Sequence, residues 1–238
     1  MESNARDKLE ETPENVRRKM SNTSKALGYE NVDTFMEECL REKSPEEAKK
    51  FYANWAANYD NEVKEVEYNG PELFAKSFPK LNVPRNAEII DIAAGTGALG
   101  EKLNAMGYKY IDALDGTPEM LDIARKKNVY RNFCQFLMGC GYESPIKDGT
   151  YDVAISCGAI GQGHIPYNAF YEIIAMVKQG GLICWLANDP SEGEDEESFK
   201  TVMADLTDSG KWKVFQEPIR LEYFYRKDSA FFRVMQKL

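Results

Sequence analysis

The sequence predicts an α/β protein built on a doubly wound, mostly parallel sheet, and three observations carry the prediction. From residue 87 onward short apolar runs alternate with helical segments, as repeated βαβ units do. The first of these runs, Glu88-Ile-Ile-Asp-Ile, leads into the glycine turn Gly95-Thr-Gly97, where a helix starts. The last two extended stretches, 211–227 and 229–238, follow one another with no helix between them and read as antiparallel partners.

Taken in order, residues 1 to about 20 are polar and highly charged without strong periodicity, and are expected to fray. Together with a helical signal over 31–41 they form an N-terminal helical extension, residues 1–43, that is partly disordered. A second helix is predicted over 44–60, where Ser44, Pro45 and Glu47 supply a hydroxyl cap, a first-turn proline and an acid three residues on. That helix aligns Phe51, Trp55 and Tyr59 in one stripe. Strands are expected near 88–92, 109–114, 133–138, 151–156 and 181–187, with helices near 97–106, 117–128, 167–178 and 195–209. The acidic run Glu192 to Glu197 reads as a solvated loop or the start of a helix.

A length of 238 residues with 12 Phe, 13 Tyr and 3 Trp suits one large core preceded by an extension. The net charge of -9 would repel a phosphate backbone, so nucleic acid is a disfavoured partner. The first twenty residues lack the apolar core of a signal peptide, and no run is long enough to cross a bilayer; a cytoplasmic location is expected. Five cysteines form no C-x-x-C pair and read as reduced thiols. With a single histidine and no Cys/His cluster, no metal is predicted.

The chemistry concentrates where the first strand meets its helix. A glycine turn there presents free backbone N–H groups and a positive helix end to a crevice, and lets a ligand approach without a Cβ in the way. Asp91 can accept from a cationic or N–H-bearing group. Asp115 falls 20 residues after Gly95 at the end of the second strand, where an acid can accept from both hydroxyls of a ribose. That spacing, and the lack of a G-x-x-x-x-G-K-[ST] run, favours an adenosine-type ligand over a nucleoside triphosphate.

The runs D-I-A-A-G-T-G from Asp91, D-G-T-P-E-M-L from Asp115 and Y-D-V-A-I-S from Tyr151 resemble the successive motifs of class I S-adenosylmethionine-dependent methyltransferases. A closer resemblance, to the methyltransferase-like proteins of the Williams-Beuren syndrome region, lies in Tyr52 to Asp60, Tyr68 to Pro71 and Gly158 to Pro166. The resemblance implies a seven-stranded sheet of order 3-2-1-4-5-7-6, S-adenosyl-L-methionine as cofactor, and a domain over 44–238 with a helical lid at 44–80. It also implies cofactor contacts at Gly95, Gly97 and Asp115, Met120 against the adenine, and the helix of Trp55 and Tyr59 over the methionine end. Ala93, Thr96, Gly116 and Cys157, at the tips of the same strands, complete the expected site. One departure stands out: where many relatives carry Asp after the third strand, this chain has Cys140, a poor acceptor for the adenine amine. Cys140 and Gly141 are therefore expected only to line that subsite, through backbone groups.

Several of these residues admit a plainer reading. Gly95 and Gly97 could serve the turn alone, Asp115 or Thr117 could cap the next helix, and Met120, Trp55 and Tyr59 could be ordinary core. His164, on the loop after the fourth strand, is a candidate general base or a loop brace. The predicted activity is methyl transfer to a small-molecule or protein acceptor; the alternative is a cofactor-binding adaptor without turnover. Ser156-Cys157-Gly158-Ala159 stands where amide and exocyclic-amine methyltransferases carry N-P-P-Y or D-P-P-Y. A nicotinamide oxidoreductase is the third reading, since Gly100 completes a G-x-G-x-x-G spacing.

Overall fold

A computed structural model describes residues 29, 32–161, 163–190 and 194–238. The stretch expected to fray, 1–20, lies outside the described residues. The chain divides into two compact units at Cys39 and Leu40. Helix α1, Val32–Leu40, ends at that division, and within the first unit the Tyr29 ring meets Phe35 edge-on at 5.2 Å.

In the second unit α2, Pro45–Trp55, starts as expected: Ser44 and Glu47 form a reciprocal capping box, worth about 1 kcal/mol. The predicted 44–60 helix is broken, however. A 3-10 turn, Ala56–Asn58, separates α2 from α3, Tyr59–Glu65, and re-aims the chain so that Trp55 is buried while Tyr59 faces a cavity. A further helix within the expected helical segment 44–80, α4 (Gly70–Ser77), runs into a 3-10 turn at Phe78–Leu81 and buries Phe74 and Phe78 completely.

The sheet contains β1 (Ile89–Ile92), β2 (Ile111–Asp115), β3 (Phe133–Gln135), β4 (Tyr151–Cys157), β5 (Val177–Ala187), β6 (Trp212–Tyr225) and β7 (Asp228–Lys237). Its order is 3-2-1-4-5-7-6, as the family resemblance implies. The first five strands are parallel, and β7 enters antiparallel between β5 and β6. Helices α5 (Ala98–Ala105), α6 (Pro118–Lys126), α7 (Ala169–Met176) and α8 (Glu194–Asp208) supply the crossovers. Alternate strand residues feed two cores. Ile89, Val153, Ile155 and Phe232 join Phe74, Phe78 and Leu103 on one face, whereas Ile90, Ile92, Trp185 and Met235 join Phe170 and Trp212 on the other. Full burial of each large side chain contributes about 1.5–3 kcal/mol.

Two strand boundaries differ from expectation for identifiable reasons. β3 stops at Gln135 because Phe136, Leu137 and Met138 leave the sheet to line the cavity. β5 begins at Val177 rather than 181, since Gly180, at φ +78°, lets the strand continue through an irregular start beside Tyr151 and Val153.

Candidate functional site

The C-terminal ends of the parallel strands surround a cavity of about 580 Å³, at the place where ligands enter open α/β sheets. Its floor is built from two connected loops. After β1 the chain bends through Ala93 and Gly95, at φ +53° and +54°, and reaches the Gly97 N-cap of α5. For alanine the left-handed region costs about 1–2 kcal/mol, strain of the kind held at functional loops. A Cβ built on Gly95 would meet nothing within 4 Å, so its backbone stands open to the cavity. The Gly95 N–H donates to Asp115 Oδ2 and the Thr117 N–H to Asp115 Oδ1, both at 2.8 Å. A single carboxylate thus ties the two loops together while keeping a further lone pair on each oxygen. Burial raises its pKa against the lowering pull of those two backbone donors. Thr117 holds the N-cap position of α6 without a hydroxyl cap, and Asp115 bonds the Thr117 N–H rather than a first-turn N–H of the helix.

Beneath this floor lies a pair that the sequence reading missed. Asp91, 2 % exposed, accepts from the Tyr130 hydroxyl at 2.7 Å and does not line the cavity. Burial pushes its carboxyl up to about 7, opposed by the Tyr130 hydrogen bond and reinforced by the charge of Asp115. Tyr130 fits only because of glycines: a Cβ on Gly100 would lie 2.3 Å from its hydroxyl, and one on Gly97 2.9 Å from its ring. The third glycine of the apparent dinucleotide spacing therefore makes room for a buried tyrosine.

The predicted site residues separate into two groups. Tyr59, Ala93, Gly95, Asp115, Gly116, Met120, Cys140, Cys157 and His164 line one cavity; Trp55, Asp91, Thr96, Gly97 and Gly141 do not. Trp55 donates its indole N–H to Glu62 at 2.8 Å and packs its ring 4.5 Å from that of Tyr59, which makes it the support behind a cavity wall. Thr96 donates to Asp60 Oδ1 at 2.5 Å, away from the cavity. At the third-strand position Cys140 lines the cavity; its thiol, whose pKa burial raises, donates to the Met138 carbonyl at 3.5 Å. The neighbouring Gly139 N–H is already donated to the Glu172 carboxylate at 3.1 Å. Cys157 is held up to about 12 by burial and lies 3.5 Å from the Tyr68 hydroxyl; it is a neutral thiol.

Several lining residues escaped the sequence analysis. One face of α2 (Pro45, Ala48, Lys49 and Tyr52) covers the cavity, and the Tyr52 ring lies 6.1 Å from that of His164. Phe136, Leu137 and Met138 wall one end; Ile165 and Tyr167 stand with His164, and Tyr167 donates to Asp195 of α8 at 3.3 Å. The residues after β3 could have been found by applying the strand-tip rule to the third strand as well as to the first two. The α2 face could have been found from its i, i+3, i+4, i+7 spacing.

The methyltransferase-domain family matches residues 90–185, and a seven-stranded sheet of this order carrying a glycine turn and an acid on its first two strands is that of a class I S-adenosylmethionine-dependent methyltransferase. The chain belongs to this family, and its cofactor is S-adenosylmethionine. It is 31% identical over 167 residues to Methyltransferase-like protein 27 of Homo sapiens, an alignment covering 68% of this chain and 67% of the human protein. The fold is similar to that of a Leishmania major S-adenosylmethionine-dependent methyltransferase, with TM-score 0.61, 14% identity and 87% and 92% of the two chains covered. It is also similar to a Burkholderia thailandensis 1,6-didemethyltoxoflavin-N1-methyltransferase bound to its substrate and S-adenosylhomocysteine, with TM-score 0.57, 15% identity and 82% and 91% covered. Among the described residues no helix is long and apolar enough to cross a membrane.

Proposed function

We propose that the chain methylates a small-molecule acceptor, with the cofactor lying across the tips of β1 and β2 and the acceptor entering beside α2, the 158–167 loop and α8. The residues present fit the cofactor. The two spare lone pairs of Asp115 suit the two hydroxyls of a ribose, and the open backbone at Gly95 suits a chain passing close to the turn. Met120, Leu114, Phe136 and Leu137 offer a flat apolar slot to a purine, with Cys140 at its edge. Residues 45–59 act as the lid, in which Tyr59 closes over the methionine end and Trp55 braces Tyr59 from behind, while the 70–80 part of the expected 44–80 lid packs in the sheet core instead.

The acceptor reading rests on the continuity of the cavity. The same space of about 580 Å³ runs on to Tyr52, His164, Ile165 and Tyr167, and its volume lies within the range of small-ligand pockets, about 300–1,000 Å³. A cofactor and a small acceptor can share such a space. The net charge of -9 supports an acceptor other than nucleic acid.

S-adenosylmethionine supplies a methyl group on a sulfonium that already carries its own leaving group, so the protein has to align and to exclude water. Tyr52 and Tyr59 cover the reacting region, and the presence of His164 in the same cavity beside Tyr52 supports a role as the base that accepts the proton of an amine or hydroxyl nucleophile. Purified protein incubated with tritium-labelled S-adenosylmethionine and fractionated cell extract should transfer label to the small-molecule fraction. Label confined to protein would overturn the acceptor class. Absence of heat with S-adenosylhomocysteine in calorimetry would overturn the site itself.

A further inference from the structure

Asp60 is not among the residues that line the cavity. It nevertheless stands at the meeting point of three elements. Asp60 opens α3 immediately after Tyr59, and its two carboxylate oxygens are both used: Oδ1 accepts from the Thr96 hydroxyl at 2.5 Å, and Oδ2 from Lys127 Nζ at 2.8 Å. Thr96, 1 % exposed, is the middle residue of the glycine turn. Lys127 closes α6, and its ammonium also meets Glu101 of the first turn of α5 at 2.8 Å. The Lys127 side chain is 14% exposed and that of Asp60 33%, so solvent weakens this cluster less than it does an open surface pair.

Its position decides what the cluster can do. Asp60 lies two residues beyond the short turn that joins α2 to α3, and Tyr52 of α2 and Tyr59 of α3 both line the cavity. The cover helix is thus pinned at its C-terminal end to the loop that it covers. Its N-terminal end, at Ser44, is exposed and capped locally. Tyr59, next to Asp60 in the chain, and Gly95, next to Thr96, line the same cavity, so the Asp60–Thr96 contact ties these two walls together.

We propose that Asp60 is a positioning residue: by gripping Thr96 and Lys127 it fastens the helix pair bearing Tyr52 and Tyr59 onto the glycine turn and thereby sets how fast the bound cofactor product leaves. The proposal rests on the cofactor placement given above. It assigns Asp60 and Lys127 no chemistry, only control of cover opening.

The test measures dissociation of S-adenosylhomocysteine by displacement, in the full chain and in Asp60→Asn, Lys127→Met and Lys127→Arg, with thermal unfolding of each ligand-free variant alongside. Loss of one charge-assisted hydrogen bond corresponds to about a tenfold change. Asp60→Asn and Lys127→Met should each release the ligand about tenfold faster, Lys127→Arg should restore most of the slow rate, and hydrogen exchange should rise across 52–65 more than elsewhere. If Asp60→Asn fails to fold, Lys127→Met with its Arg rescue decides the matter. Dissociation within twofold of the unsubstituted rate in folded variants overturns the proposal alone. A lower melting temperature with an unchanged release rate does the same, because it marks a merely structural contact. Failure of the unsubstituted chain to bind S-adenosylhomocysteine overturns the cofactor placement and this proposal with it.

Discussion

Replacing Tyr130 by phenylalanine removes one hydroxyl from beneath the glycine turn and leaves Asp91, 2 % exposed, without the donor that sits 2.7 Å from its carboxylate. The cost depends on pH, and the sign follows from the carboxyl's position at about 7 in the folded chain, raised chiefly by burial, against about 4 when unfolded. Between those values the folded chain keeps a proton that the unfolded chain has released, so stability falls as pH rises through that window and the loss is complete above it. The Tyr130 bond lowers the folded value, and its removal raises it further, enlarging the loss on the alkaline side. At pH 5.5 Asp91 is neutral when folded, and the substitution should cost about 0.5–1.5 kcal/mol, the worth of an ordinary hydrogen bond. At pH 8.5 the carboxylate is charged and the same change should cost about 1.5–3 kcal/mol. Urea unfolding of both proteins at the two pH values, with unchanged m, measures the difference. Equal losses at both pH values, or a loss under about 0.5 kcal/mol at pH 8.5, would refute the reasoning.

Asp115→Ala removes the group that joins the two floor loops, and should lower S-adenosylhomocysteine affinity by at least about 30-fold in calorimetry, since two backbone donors lose their shared acceptor. Gly100→Ala would push a methyl group against the Tyr130 ring and should lower stability by about 1–3 kcal/mol in thermal or urea unfolding; a neutral result would show that Tyr130 moves aside freely. His164→Ala should slow single-turnover methylation by about 100-fold or more once an acceptor is in hand, with the deficit shrinking as pH rises; an unchanged rate would leave His164 as a wall of the cavity.

What could be read from the sequence, and what could not, follows from how local each signal is. The Ser44 capping box, the glycine turn and the alternation of β1, β2 and β4 with their helices are set by residues close together in the chain, and the structure has them where the pattern places them. The sheet order came from family resemblance, because spacing carries no information about which strands pair. The break at Ala56–Asn58 was hidden because Phe51, Trp55 and Tyr59 keep helical spacing across it. Tyr130 was missed because its role depends on Asp91, 39 residues away, and on two glycines whose turn function already accounted for them. The role of Asp60 was likewise invisible, since its partners come from the glycine turn and the end of α6.

The insertion of β7 between β5 and β6 governs the order in which the molecule can be finished. Every strand tip bordering the cavity is made before β7, so a growing chain holds its parallel half with one side of β5 lacking a neighbour until Asp228–Lys237 emerges from the ribosome. During that interval the open side of β5 presents bare amides and carbonyls able to recruit a strand from another molecule. Its closing partner is a late and distant segment, a class of pairing that forms slowly. Weakened β5 and β7 pairing should therefore show itself first as insoluble product during expression, ahead of any loss in the finished protein's melting temperature.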